Sequence, residues 1–158
     1  MTTVLSPEAA VLHGRRPSTT AAGKPRAAAL CTMESLEPTV PAMRRFACRT
    51  ARRWGVDADV VDTLALVVTE LVTNAVLHSG GREVAVLLRH RGTDLTVEVR
   101  DGGQWYTRPS SRRVPEDAGA ACGRGLDLVR HVTDWWLAFL SSTGTRVMAG
   151  LPLSRQAG

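Results

Sequence analysis

Three residues spaced four apart in one apolar run bring together a carboxylate, a carboxamide and an imidazole: Glu70, Asn74 and His78, within TELVTNAVLHSGG. On a helix that spacing sets all three on one side, in a row about two turns long. A carboxamide oxygen is a hard, neutral ligand suited to a Mg²⁺ that takes most of its other ligands from phosphates and water. A glutamate one turn earlier is then placed to orient or deprotonate an attacking hydroxyl or water. The solvated edge of an ordinary amphipathic helix has the same spacing, and ExxxN alone does not separate the two readings. Two features favour a pocket. No basic residue occurs between Val60 and Val76, and asparagine, a poor helix former, needs a local reason to sit in the middle of such a run.

Three further polar islands follow. VEVRDGG ends an alternating run at Asp101, before Gly102 and Gly103. Asp-Gly is ordinary turn chemistry, but a carboxylate there can also accept a hydrogen bond from the exocyclic amine of adenine, with Gly103 letting the base approach the backbone. GRGLDLV, Gly123 to Val129, places Gly123 and Gly125 before a helix, where exposed N–H groups and the positive end of the helix dipole suit polyphosphate. Arg124 can add a charge-assisted contact there. No GxxxxGK[ST] and no strand–GxGxxG–helix is present, so neither a P-loop nor a dinucleotide fold accounts for it. STGTRV serves as a hairpin turn; if it faces the pocket, the Thr145 hydroxyl supports the contact made by Asp101.

These groups need elements to hold them. Residues 1–25 lack sustained periodicity and read as a disordered tail. RAAALCTME reads as a strand, and a helix starts near Thr39 to Pro41 and ends at Gly55. Asp57 to His78 is the longest periodic segment, capped by Asp57 or Asp59 and stopped by Ser79-Gly80-Gly81. REVAVLLRH and DLTVEVRD form a hairpin, residues 102–122 a long lid or binding loop, then come a short helix and a last strand pair. The order predicts an α+β two-layer sandwich, a mixed, mostly antiparallel sheet with helices on one face. The domain is expected over 26–153, with 154–158 as a C-terminal tail.

The chain has 158 residues and a net charge of +5, with Lys24 its only lysine. That is one domain's worth. The arginines are scattered and few aromatics interleave them, so direct nucleic-acid binding is not expected. Cys31, Cys48 and Cys122 form no CxxC pair, which fits reduced thiols and a cytoplasmic location. No secretory signal is read at the N-terminus, and no apolar stretch is judged long enough to span a bilayer, so no membrane partner is expected.

In order and spacing the four islands resemble the ATP-binding domain of the GHKL superfamily (gyrase, Hsp90, histidine kinase and MutL type), over residues from about 30 to 153. Glu70 to His78 match the N box, Asp101 to Gly103 the first glycine box, Gly123 to Leu126 the second and Gly144-Thr145 the third. TELVTNAVLHSG, VEVRDGG and GRGLDLVRHVTDWW are closest to stand-alone anti-sigma-factor serine kinases and the small ATP-binding regulators of actinobacteria. The resemblance implies a Bergerat-type fold binding ATP and Mg²⁺. Asn74 would be the metal ligand, Glu70 the catalytic base toward a protein serine, and His78 a neighbour of the phosphates or lid. The remaining nucleotide contacts would come from Asp101, Gly103, Gly123, Arg124, Gly125, Leu126 and Thr145. It further implies a transcription regulator whose partners are a sigma factor and an anti-anti-sigma (STAS-type) protein, with homodimerisation common among such relatives. The alternative is a catalytically inactive, ATP-dependent protein-binding switch. The chain departs from the family pattern at Gln104-Trp105, where a further glycine is usual, and at Asp127, where many relatives have a small residue.

Overall fold

The computed structural model describes residues 9–14, 25–103, 125–141 and 143–153. Along the chain these form β1 (Ala9–Gly14), β2 (Ala27–Glu34), α1 (Thr39–Arg53), α2 (Ala58–His78), β3 (Glu83–His90) and β4 (Asp94–Asp101). A helical stretch over 125–132, α3, precedes β5 (Trp135–Ser141) and β6 (Gly144–Pro152). The strands make one sheet in the order β1-β5-β6-β4-β3-β2. Every described pairing is antiparallel, so the expected α+β sandwich is present but without the parallel pair that a mixed sheet would contain.

Alternation along the strands decides which face carries the helices. Val84, Val86 and Leu88 of β3, Leu95, Val97 and Val99 of β4, and Val147, Ala149 and Leu151 of β6 are all buried on one face. The register confirms that they share it: Val86 lies opposite Val99, and Val99 opposite Val147. Against that face α2 lays Val61, Leu64, Val67, Val68, Leu71, Val72 and Ala75, while α1 adds Met43, Ala47 and Ala51. The i, i+3, i+4 spacing of these residues is why the segments are helical, and their burial, about 1.5–3 kcal/mol per large side chain, is what fixes the helices there. α2 runs from Ala58 to His78, with Asp57 and Ser79 at its cap positions, within a residue of the bounds read from sequence. α3 is anchored by the fully buried Val129, with Leu126 and Val132 packed on the core.

Two expectations change. Residues 1–25 were expected to lack regular structure, yet β1 pairs with β5 from Ala9 opposite Leu140 to Gly14 opposite Trp135. AAVLHG is too short to show a period, and its pairing is set by the neighbouring strand rather than by its own pattern. Secondly, α2, with 21 residues and a mean hydropathy of 1.7 over its most apolar 18, is by length and composition able to cross a bilayer. Its Glu70 and Asn74 row had hidden that from a count of uninterrupted apolar residues. In the fold the apolar side of α2 forms the centre of the core.

Candidate functional site

The end of the sheet where α2 stops is assembled from close backbone contacts. Asp101, the last residue of β4, is buried and accepts the Gly103 N–H on Oδ1 at 3.1 Å. This Asx-type turn folds the chain back on itself directly after the strand. Gly103 then lies so close to the α2–β3 connection that a Cβ on it would come within 1.8 Å of the Ser79 carbonyl oxygen. From the other side, a Cβ on Gly81 would lie 2.7 Å from the Gly103 nitrogen. Ser79 is itself buried, and its Oγ accepts the Gly81 N–H at 3.1 Å. The end of the helix and the glycine turn are thus pressed together with no room for a side chain between them.

The third wall is the β5–β6 turn. Thr145 is buried directly opposite Asp101 in the β4–β6 register. Gly144 precedes it with φ 148°, a conformation that favours glycine, and a Cβ there would lie 2.2 Å from the Asp101 carbonyl oxygen. Asp101, Gly103 and Thr145, read from sequence as one adenine-facing group, are therefore brought together. Ser79 and Gly81 belong to the same cluster. Sequence reasoning read them only as a helix stop, because Ser-Gly-Gly carries that signal whether or not a second loop packs on it.

The polar row of α2 behaves in three ways. His78 is exposed on the last turn. Asn74 is buried, and its amide nitrogen has no hydrogen-bond partner among the described residues. A buried donor left unmade costs about 1–3 kcal/mol, so the fold itself gains nothing from an amide there. Glu70 is half-buried and faces the start of α3: a Cβ on Gly125 would lie 2.4 Å from its Oε2. The row therefore runs from the third helix toward solvent and is not a solvated edge. Leu126 packs on the core beside Gly125. Gly123 and Arg124, together with Cys122 and the loop containing Gln104-Trp105, lie outside the described residues.

The donor set fits a magnesium nucleotide. At 81, 103 and 144 only glycine fits against the neighbouring backbone, so the cradle is walled there by main chain and not by side chains. The Asn74 amide N–H, without an acceptor among the described residues, needs one from elsewhere, and a phosphate oxygen would meet that need. Among the described residues no group of three or more His, Cys, Asp or Glu side chains could hold a metal. A metal at Asn74 would thus draw its other ligands chiefly from a polyphosphate and water, as Mg²⁺ does.

Comparison with known proteins agrees with this geometry. Residues 33–149 match the family model described as the histidine kinase-like ATPase domain. Among solved structures, the crystal structure of the RsbU and RsbW domains of Rv1364c from Mycobacterium tuberculosis is similar, with a TM-score of 0.62 and 21% sequence identity. The likeness covers 84% of this chain and 34% of that one, so this chain spans about a third of its length, and at such identity it speaks for the fold. No curated protein matches the sequence. The family match takes in α1, α2, β3, β4, α3, β5 and most of β6, every element that builds the cradle, and the chain belongs to the histidine kinase-like ATPase domain family.

Proposed function

We propose that this protein is an ATP–Mg²⁺-dependent regulator of the anti-sigma-factor serine kinase type. The observation that carries the reading is the placement of Glu70 and Asn74 on one face of α2, the first against the glycine start of α3 and the second buried with an unused amide. ATP bound there supplies a transferable phosphoryl group. Asp101, with Thr145 opposite, would accept the adenine amine, and Gly103 would admit the base to the backbone. Asn74 would hold Mg²⁺, and Gly123, Arg124 and Gly125 at the α3 start would receive the phosphates. Glu70 would take the proton from a serine hydroxyl of a STAS-type anti-anti-sigma partner as that oxygen attacks. A sigma factor would be the second partner, captured in one nucleotide state. A ligand shifts such an equilibrium only by its differential affinity, so the ATP form must bind the two partners unequally.

The test is calorimetric titration with a non-hydrolysable ATP analogue, with and without Mg²⁺, followed by phosphate transfer to a purified STAS-type protein. Saturable Mg²⁺-dependent binding with transfer that is lost in Glu70→Ala is the expected result. Binding without transfer would favour the alternative, a nucleotide-dependent binding switch. No binding at millimolar nucleotide would remove both readings.

A further inference from the structure

The face of the sheet turned away from α1 and α2 carries a surface that the nucleotide site does not use. Its central row runs, in register, from Leu30 through Leu87, Glu98 and Met148 to Leu137. Glu98 has only 1% of its side chain exposed, although no described helix covers it. Three arginines enclose it: Arg89 at 2.7 Å from Oε2, Arg100 on Oε1, and Arg146 at 3.8 Å from the same oxygen. Arg100 and Arg146 lie directly opposite each other on β4 and β6, an arrangement of like charges that is destabilising unless an anion stands between them. Glu98 is one such anion. One carboxylate among three guanidiniums leaves two positive charges in excess, and Arg100 and Arg146 are 50% and 41% exposed.

Around this cluster the surface is apolar and half-buried: Leu87, Leu137, Phe139 and Met148, with Leu30 63% exposed at the rim. Arginine, methionine and aromatic residues are the types enriched where proteins dock, whereas lysine is depleted there, and none of the described residues is a lysine. A depression of about 230 Å³ opens beside the cluster, lined by Arg100, Arg146, Phe139, Ser141 and Thr143 and, where it borders the cradle, by Asp101, Gly144 and Thr145.

We infer that this outer face docks an acidic segment of a partner protein. Carboxylates of the partner meet Arg100 and Arg146, and its apolar side chains lie on Leu87, Leu137 and Met148. Charge selects this occupant. A second copy of the chain would set three arginines against three with a single carboxylate on each side, raising the repulsion that Glu98 only partly relieves. A nucleic acid strand gains affinity by stacking bases on open aromatic rings. Here the Phe139 ring is covered by Arg146, 4.4 Å from its centroid, and Trp135 is laid against Gly150, whose Cβ position its indole nitrogen approaches to 2.2 Å. The inference does not rest on the nucleotide reading: the depression borders the cradle at Asp101, Gly144 and Thr145, but the contacts proposed are made by Arg100, Arg146, Leu87, Leu137 and Met148.

Nuclear magnetic resonance of the full chain tests it through the arginine Nε–H and tryptophan indole signals. The probes are a blocked peptide of alternating aspartate and leucine, its lysine–leucine counterpart, and oligothymidylate. The acidic peptide should shift Arg100, Arg146 and the Trp135 indole saturably, and weaken at least about tenfold in Arg100→Gln/Arg146→Gln, the loss expected for charge-assisted contacts. That variant keeps the Arg89–Glu98 pair, and a single cooperative thermal transition will show that it folds. Equal binding of the lysine peptide, tighter binding of oligothymidylate, or shifts confined to other residues would overturn the inference. So would a dimer in sedimentation equilibrium that Leu87→Glu dissociates, which would assign the face to a second copy.

Discussion

Two carboxylates three residues apart on one strand, Glu98 and Asp101, point to opposite faces of the sheet and are handled in opposite ways. Glu98 is enclosed by guanidiniums, its charge answered within the protein. Asp101 accepts a backbone N–H from Gly103 and stands opposite a threonine, in a cradle whose other walls are glycine. A surface made for a small ligand keeps its side chains few and lets the backbone approach. One made for a protein segment spreads charge over several long side chains with apolar stems between them. The contrast predicts that the first region is governed by steric fit and the second by charge.

The largest effect should come from filling the cradle. Gly103→Ala places a carbon against a main-chain carbonyl that has no rotamer with which to retreat. Nucleotide binding in calorimetry should be lost and the melting temperature should fall. A Gly103→Ala protein that binds and melts like the parent would show that the turn is not the wall described.

Asn74→Ala separates function from stability on the same helix. Binding of a magnesium nucleotide should weaken about 10- to 150-fold, the range for a hydrogen bond or ligand to a charged group. Stability should be unchanged or slightly higher, since the substitution removes a buried donor without a partner. A loss of both together would mean that the amide serves the fold.

Gly125→Ala acts through Glu70. The added methyl would lie 2.4 Å from Oε2, and the carboxylate, being the end of a flexible side chain, can move about 1 Å to relieve it. Affinity for the nucleotide should change little, because the Gly125 N–H offered to the phosphates is left in place, while phosphotransfer falls about 10- to 100-fold, as expected when a reacting group is displaced by that distance. Equal losses in binding and transfer would place the added methyl against the nucleotide and not against the base.

Sequence patterns resolved the helices and five of the six described strands closely, because Val60 to Val76 and the 83–101 hairpin carry the periods of their own structures. β1 was missed for the complementary reason: six residues carry too little pattern, and an edge strand is defined by the neighbour it pairs with. The site followed the same division. Asp101, Gly103 and Thr145 could be grouped because a strand end and a tight turn each have local signatures. Ser79 and Gly81 could not, since their role arises from a contact with a loop more than twenty residues away. The arginine cluster was equally hidden. Arg89, Arg100 and Arg146 come from three strands, and only the register sets them around Glu98.

Glu98→Gln tests the charged side of the comparison and should produce the smallest change. Burial alone would push the Glu98 carboxyl up, but hydrogen bonds from Arg89 and Arg100 outweigh it and hold the group below its ordinary value. A carboxylate with a depressed folded pKa contributes stability that is fully present above its unfolded pKa, near 4.3 for a glutamate, and is lost as pH falls through the lower folded value. At neutral pH the glutamine variant should therefore be about 1–3 kcal/mol less stable, the range for hydrogen bonds to a charged group. The gap between the two proteins should close as urea melts are repeated from pH 5 downward. Nucleotide affinity should stay the same throughout, because Glu98 faces away from the cradle. A gap that persists unchanged below pH 3 would mean that Glu98 acts by packing, and the charge logic assigned to the outer face would fail with it.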